Sequence, residues 1–242
     1  MSRPDDLDRF YDHLAALDDR VGGARKLKDC TGYMDWPDRG VYVFLEPGET
    51  HSTDQRRVTR VGTHAVSAGS STSLWDRLKQ HYGTGSGSAD HPHGGNHRGS
   101  VYRKRVGEAL IEKHALHDDY PDWGVRWSSV DRDRSTVRDE EYVLERRVST
   151  YVREQPFLWI ALDDEPAADS DRAYVERNAI ALLSNVEGQS IDPRANDWLG
   201  RHSRSRQIRQ SGLWNVDHVG EAYDPRFLDR LAQAVEDTTS PE

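Results

Sequence analysis

A chain of 242 residues with 33 basic and 42 acidic side chains, net charge −9, is long enough to bury a full core as one large domain or two small ones. Its hydrophobic fraction is 35%, and no apolar run nears the roughly 18 residues of a membrane helix, which excludes such a span. A single cysteine, Cys30, excludes a disulfide framework and any multi-cysteine zinc site.

The acidic start of the chain lacks the apolar stretch of a secretory signal, so the sequence reads as cytoplasmic. Nucleic-acid binders usually present a basic face, because neutralising phosphates supplies much of their affinity, and the charge balance here argues against one. Asp outnumbers Glu and Arg outnumbers Lys, a bias suited to high internal salt. There counterion release contributes less, and close directional contacts must carry binding.

Leu7, Phe10, Tyr11, Leu14 and Leu17 fall at helical spacing, and Gly22-Gly23 ends the stripe. Residues 1–35 therefore read as an N-terminal helical cover. Residues 40–45 and 58–62 are β-branched and aromatic, bounded by Pro37 to Gly40 and by a Glu46 to Glu49 turn, so each reads as a strand. The polar stretch 46–57 closes them into a long hairpin.

Ser70 to Ser73 is a dense N-cap signal that opens a helix at 74–81. Leu74 and Leu78 form the stripe that fixes this helix to the sheet. Arg77 and His81 lie one turn apart on a different face.

Residues 83–90 have the composition of a flexible tether. His91, His93 and His97 follow, close enough to bind a metal, but without a rigid scaffold or a carboxylate among them; a mobile polar loop is the alternative. Arg98, Arg103, Lys104 and Arg105 make the most basic stretch and suit a phosphate backbone, with a solvated helix start as the other reading. A helix over 100–116, a short strand at Trp123 to Trp127 and a helix over 139–155 come next.

The continuous apolar run 156–162 reads as a buried central strand, and 172–183 as a helix. Beyond it Arg201, Arg204, Arg206 and Arg209 stand between Trp198 and Trp214. That mixture of cations and indoles suits a nucleic-acid surface, Arg204 and Arg206 above all. A short helix at 226–236 closes the chain, and residues 237–242 read as a frayed tail.

Gly40-Val41-Tyr42, then Arg60-Val61-Gly62, then Arg77 and His81 on one helix, resemble the GIY-YIG nuclease superfamily in order and spacing. The stretch from Glu176 through Asn178 to Ile180 is similar to its Glu-x-Asn-x-Ile element, and Pro193 to Asn196 to its Pro-x-x-Asn element, with Asn185 competing for the asparagine. The resemblance implies an α/β (α+β) domain over 36–236, built on a small mixed three-stranded sheet flanked by helices, with a helical insertion at about 83–155. It implies hydrolysis of phosphodiester bonds, of DNA with RNA not excluded, using Mg2+ or Mn2+.

By that resemblance Tyr42 orients or deprotonates the water, Arg77 grips the scissile phosphate, and Glu176 binds the metal. His81 relays a proton or holds the phosphate, while Gly62 and Asn196 support the scaffold. The chain departs from the pattern at Arg60, where the second motif tyrosine belongs, and has Thr63 and His64 where related enzymes often carry a lysine. His64 is the candidate replacement base. If nothing replaces the lost group, the alternative is a catalytically inactive nucleic-acid-binding or defence-system module on the same fold.

Overall fold

The structure, a computed structural model, describes residues 2–51, 55–186 and 190–241. Ser2 starts the first helix with a reciprocal cap, its hydroxyl accepting from the Asp5 N–H while the Asp5 carboxylate accepts from the Ser2 N–H. Among the described residues seven helices surround one sheet. They are α1 (Arg3–Val21), α2 (Leu74–Tyr82), α3 (Val101–His114), α4 (Arg134–Glu154), α5 (Asp171–Leu183), α6 (Arg206–Ser211) and α7 (Phe227–Asp237).

The strands are β1 (Arg25–Lys26), β2 (Gly40–Thr50), β3 (Arg56–Gly62) and β4 (Pro156–Ala161), in the order β1-β4-β2-β3, and every pair is antiparallel. The sheet is thus neither mixed nor three-stranded. The turn at Gly22-Gly23 sends Arg25 and Lys26 back against Phe157 and Pro156, which adds the fourth strand. The 156–162 run does occupy an interior position, with its side chains buried on both faces, as a continuous apolar strand requires.

The expected turn at Glu46 to Glu49 is instead part of β2, which bulges and continues to Thr50. Buried partners hold its carboxylates: Tyr151 and Trp198 donate to Glu46, and Arg57 donates to Glu49. The tip, 52–54, lies outside the described residues.

Leu7, Phe10, Tyr11, Leu14 and Leu17 of α1 join the same core as the sheet, and α1 packs on α5, α7 and β4. Trp123 to Trp127 is not a strand. Trp123 instead lies in a turn with its ring stacked on His97 at 3.8 Å and its indole donating to the Lys104 carbonyl, so packing sets its backbone.

The chain end is not frayed through Pro241. Thr238 is buried and accepts from the Ala161 N–H at the end of β4, and Arg25 donates to Ser240 and to the Pro241 carbonyl. No helix among the described residues is long and apolar enough to cross a membrane.

Candidate active site

Two glycines are required by close approach. A Cβ on Gly40 would stand 2.4 Å from the Ile160 carbonyl oxygen of β4. A Cβ on Gly62 would stand 2.3 Å from the phenol oxygen of Tyr42, its direct partner across β2 and β3. Gly62 therefore leaves room for the Tyr42 hydroxyl, which reaches past β3 to a histidine.

That histidine is His81. Ser73 caps α2 in a reciprocal box with Asp76, and Leu74 and Leu78 bury against the sheet, which fixes the rotation of the helix. The Tyr42 hydroxyl then lies 2.7 Å from His81 Nε2, and His81 Nδ1 lies 2.8 Å from Ser100 Oγ. Burial, reinforced by Arg77, Arg60 and Arg103, pushes the His81 pKa well below the ordinary imidazole value, so the ring is neutral. Nδ1–H is assigned as donor to Ser100, which leaves Nε2 to accept from Tyr42. His81 is fully buried and stands behind Tyr42, so holding a phosphate directly is not open to it.

At the end of β3 the Thr63 hydroxyl donates to the Gly40 carbonyl (2.8 Å), and the Thr63 N–H donates to Glu176 Oε1 (3.0 Å). Glu176, on α5, is half-buried. Burial raises its pKa, while Arg60, the Thr63 N–H, His218 and Arg77 act in the opposite direction.

His64 Nδ1 lies 2.8 Å from the Thr72 carbonyl, which fixes it as donor, and Nε2 is a buried acceptor without a partner among the described residues. Burial, with the charges of Arg172, Arg77 and Arg39 outweighing the Thr72 bond, lowers the His64 pKa to about 4. Fully buried Arg172 holds this segment by donating to the His64 and Ala65 carbonyls and pairing with Asp164. Arg77 is half-buried, donates to Gln80 Oε1 (2.8 Å), and has a buried Nε without a partner among the described residues. Its charge reaches His64, His81 and Glu176 together.

Tyr42 thus reaches His81 past Gly62, Glu176 is held on Thr63 beside His64, and the charge of Arg77 acts on His64, His81 and Glu176. No group of three or more His, Cys, Asp or Glu among the described residues could cage a metal. One carboxylate suits Mg2+ nonetheless, since that ion commonly takes one or two carboxylates and completes its shell with water and phosphate oxygens. Glu176 takes a single protein hydrogen bond among the described residues, at Oε1, so the donor set fits.

Other expected residues lie elsewhere. Asn196 is exposed and accepts from Arg201; the asparagine that braces the site is Asn215, which accepts from the Val61 N–H (3.1 Å) and donates to its carbonyl (2.8 Å). It extends the ladder on the outer edge of β3, which had no strand signal to reveal it. Asn185 instead ties Asp192 to Ser211.

Arg103 is fully buried between Glu145, Ser149 and the His81 carbonyl, and Arg98 is clamped by Glu141 and by the Val125 and Asp122 carbonyls. Neither is available to a phosphate. Lys104 and Arg105 are half-buried and pair with Glu108 on their own helix, while Arg204 and Arg206 remain exposed.

The three histidines do not converge: His91 pairs with Asp139, His93 with Arg153, and buried His97 with Glu145. Their loop is tied to α4, where Tyr142 donates to the Pro92 carbonyl and Ser149 to that of Gly94. Ser100, Thr63 and His218 escaped the sequence reading as site residues. Only Ser100 carried a signal, as the cap of α3.

The chain matches the GIY-YIG domain family over residues 1–241. Neither the curated proteins nor the solved structures compared with it include a match.

Proposed function

The chain belongs to the GIY-YIG family, a nuclease-type fold, and on that premise we propose that it is a metal-dependent endonuclease acting on DNA. The observation that supports this most is the convergence of the Tyr42–His81 pair, Arg77 and Glu176 at the end of one hairpin. Each meets a requirement of phosphodiester hydrolysis: a group that orders the attacking water, a charge donor for the phosphoryl oxygens, and a carboxylate for a cation.

In this reading Tyr42, its hydroxyl proton held on neutral His81 Nε2, orders the attacking water through its oxygen, and the water gives up its proton to solvent as it attacks. The Ser100 contact keeps His81 in the accepting tautomer. Arg77 directs its fork at the non-bridging oxygens, where the unpartnered Nε gains an acceptor. Glu176, oriented by the Thr63 N–H, holds the divalent ion. When bound, that ion supplies Lewis-acid stabilisation of the phosphoryl and leaving oxygens. The new P–O bond forms as the P–O3′ bond breaks, and the leaving oxygen takes a proton from solvent water, leaving a 5′-phosphate and a 3′-hydroxyl.

The test is incubation of supercoiled plasmid and labelled single strands with Mg2+ or Mn2+ across a salt series. Metal-dependent nicking supports the enzyme. A mobility shift without cutting replaces it with a binding module, and the absence of both cutting and shift takes nucleic acid out of the account.

A further inference from the structure

Five buried arginine side chains show what this fold does with a guanidinium. Arg57 pairs with Glu49, Arg103 with Glu145, Arg172 with Asp164, and each donates to further backbone or side-chain oxygens. Arg153 donates to the Tyr82 and Thr84 carbonyls and to His93, without a carboxylate among the described residues. Arg60 has the fewest side-chain hydrogen bonds of the five among the described residues. It is 6% exposed, yet no carboxylate among the described residues lies within ion-pair distance. Among the described residues its guanidinium has one hydrogen bond, to the Trp214 carbonyl and long at 3.4 Å, and its buried Nε has no partner; it lies over the Tyr102 ring at 5.0 Å. A buried cation left this incompletely bonded is costly unless an anion completes it.

The place of Arg60 indicates which anion. It stands two residues before Gly62 on β3 and opposite Phe44, so it shares a sheet face with Tyr42 and Phe44. Its charge acts on Glu176 and His81, the same two groups that Arg77 acts on from α2. Two guanidinium groups, one from the sheet and one from the helix, therefore bring positive charge to bear on the same carboxylate and histidine. We propose that Arg60 is a second phosphate-gripping arginine, which with Arg77 clamps the two non-bridging oxygens of the scissile phosphodiester. This deepens the nuclease reading and rests on it. A planar fork meeting two oxygens of a tetrahedral phosphate is the geometry that guanidinium satisfies and ammonium does not.

The experiment compares Arg60→Gln and Arg60→Lys with the unmodified chain in three measurements: thermal melting, binding of a labelled duplex in EDTA across a salt series, and single-turnover cleavage in Mg2+. The expected result is a melting temperature close to that of the parent for both variants. For Arg60→Gln the slope of log binding constant against log salt shrinks by about 1, as for one lost phosphate contact. Cleavage at saturating duplex falls about 100-fold or more for both variants, the scale of one lost preorganised donor. Arg60→Lys keeps the slope while losing rate.

Should Arg60→Gln not fold, the Lys variant alone decides, through its rate and slope. Parent-like rate and slope in a folded variant overturn the clamp, while loss of cleavage in Arg77→Ala in the same assay leaves the nuclease reading standing. If the parent binds the duplex without cutting it, the nuclease reading falls. In that case a changed slope keeps Arg60 as a phosphate contact and an unchanged one removes it. A parent that neither binds nor cuts overturns both.

Discussion

Replacing Arg77 by alanine removes a half-buried guanidinium that only Gln80 bonds among the described residues, so the fold gives up little. A surface-side truncation of this kind changes stability by about 0.5 kcal/mol or less. Chemistry at the site gives up much more. A preorganised charged donor aimed at a developing phosphorane is worth about 2.7–4 kcal/mol, or about 100- to 1,000-fold in rate.

The same change has a second signature. Arg77 opposes the burial that raises the Glu176 pKa, and without it the protonated carboxyl gains further. Glu176 must be ionised to hold a cation, so the acid limb of the rate profile moves to higher pH in the variant. Single-turnover cleavage of a labelled duplex at saturating enzyme, followed from about pH 5 to 9, reads both effects. A rate within about tenfold of the parent, or an acid limb that stays put, would refute the assignment.

Gly62→Ala drives a methyl to 2.3 Å from the Tyr42 oxygen, and His81 and Phe44 leave the ring nowhere to go. It is expected to cost about 1–3 kcal/mol in urea unfolding and to lower cleavage together with it. In Glu145, His97 and Arg103 overcome burial and hold the carboxyl down to about 2; Glu145→Ala strands both partners and should cost about 3–5 kcal/mol, and a loss below about 1 kcal/mol would show that the network contributes little. His64 in the unfolded chain takes its proton near pH 6.5, whereas the folded ring resists to about 4, so its contribution, intact above pH 6.5, is lost as the pH falls through that window. By pH 5 the loss is about 1–2 kcal/mol, and His64→Gln should lose that much less than the parent between pH 7 and 5.

The hairpin, the Arg77 helix and the Glu176 helix were legible because each is a local pattern: β-branched runs, a serine cap, apolar spacing. The basic stretch around Arg98 and Arg103 misled for the opposite reason. Its carboxylate partners, Glu141 and Glu145, lie more than 40 residues on and one turn apart on α4, and only the packing of α4 shows that they take these charges out of solvent. The same helix holds the histidine loop at Pro92 and Gly94, and its Arg153 donates to the Thr84 carbonyl in the stretch that composition assigned to a tether.

Asn215 shows a related limit. Its side chain pairs with the Val61 backbone, a tertiary contact without any sequence period, while the matching Pro-x-x-Asn spelling at Asn196 serves only Arg201. Arg60 was visible as a departure from the motif, but its incomplete bonding appears only once Trp214 and Tyr102 enclose it.

The central claim is that Tyr42 and Glu176 act on one phosphodiester. Single-turnover cleavage by Tyr42→Phe and Glu176→Ala, with duplex binding measured alongside in EDTA, tests it most directly. Both variants should bind as the parent does and fall at least about 100-fold in Mg2+-dependent cleavage. Parent-like cutting by either one would contradict the account.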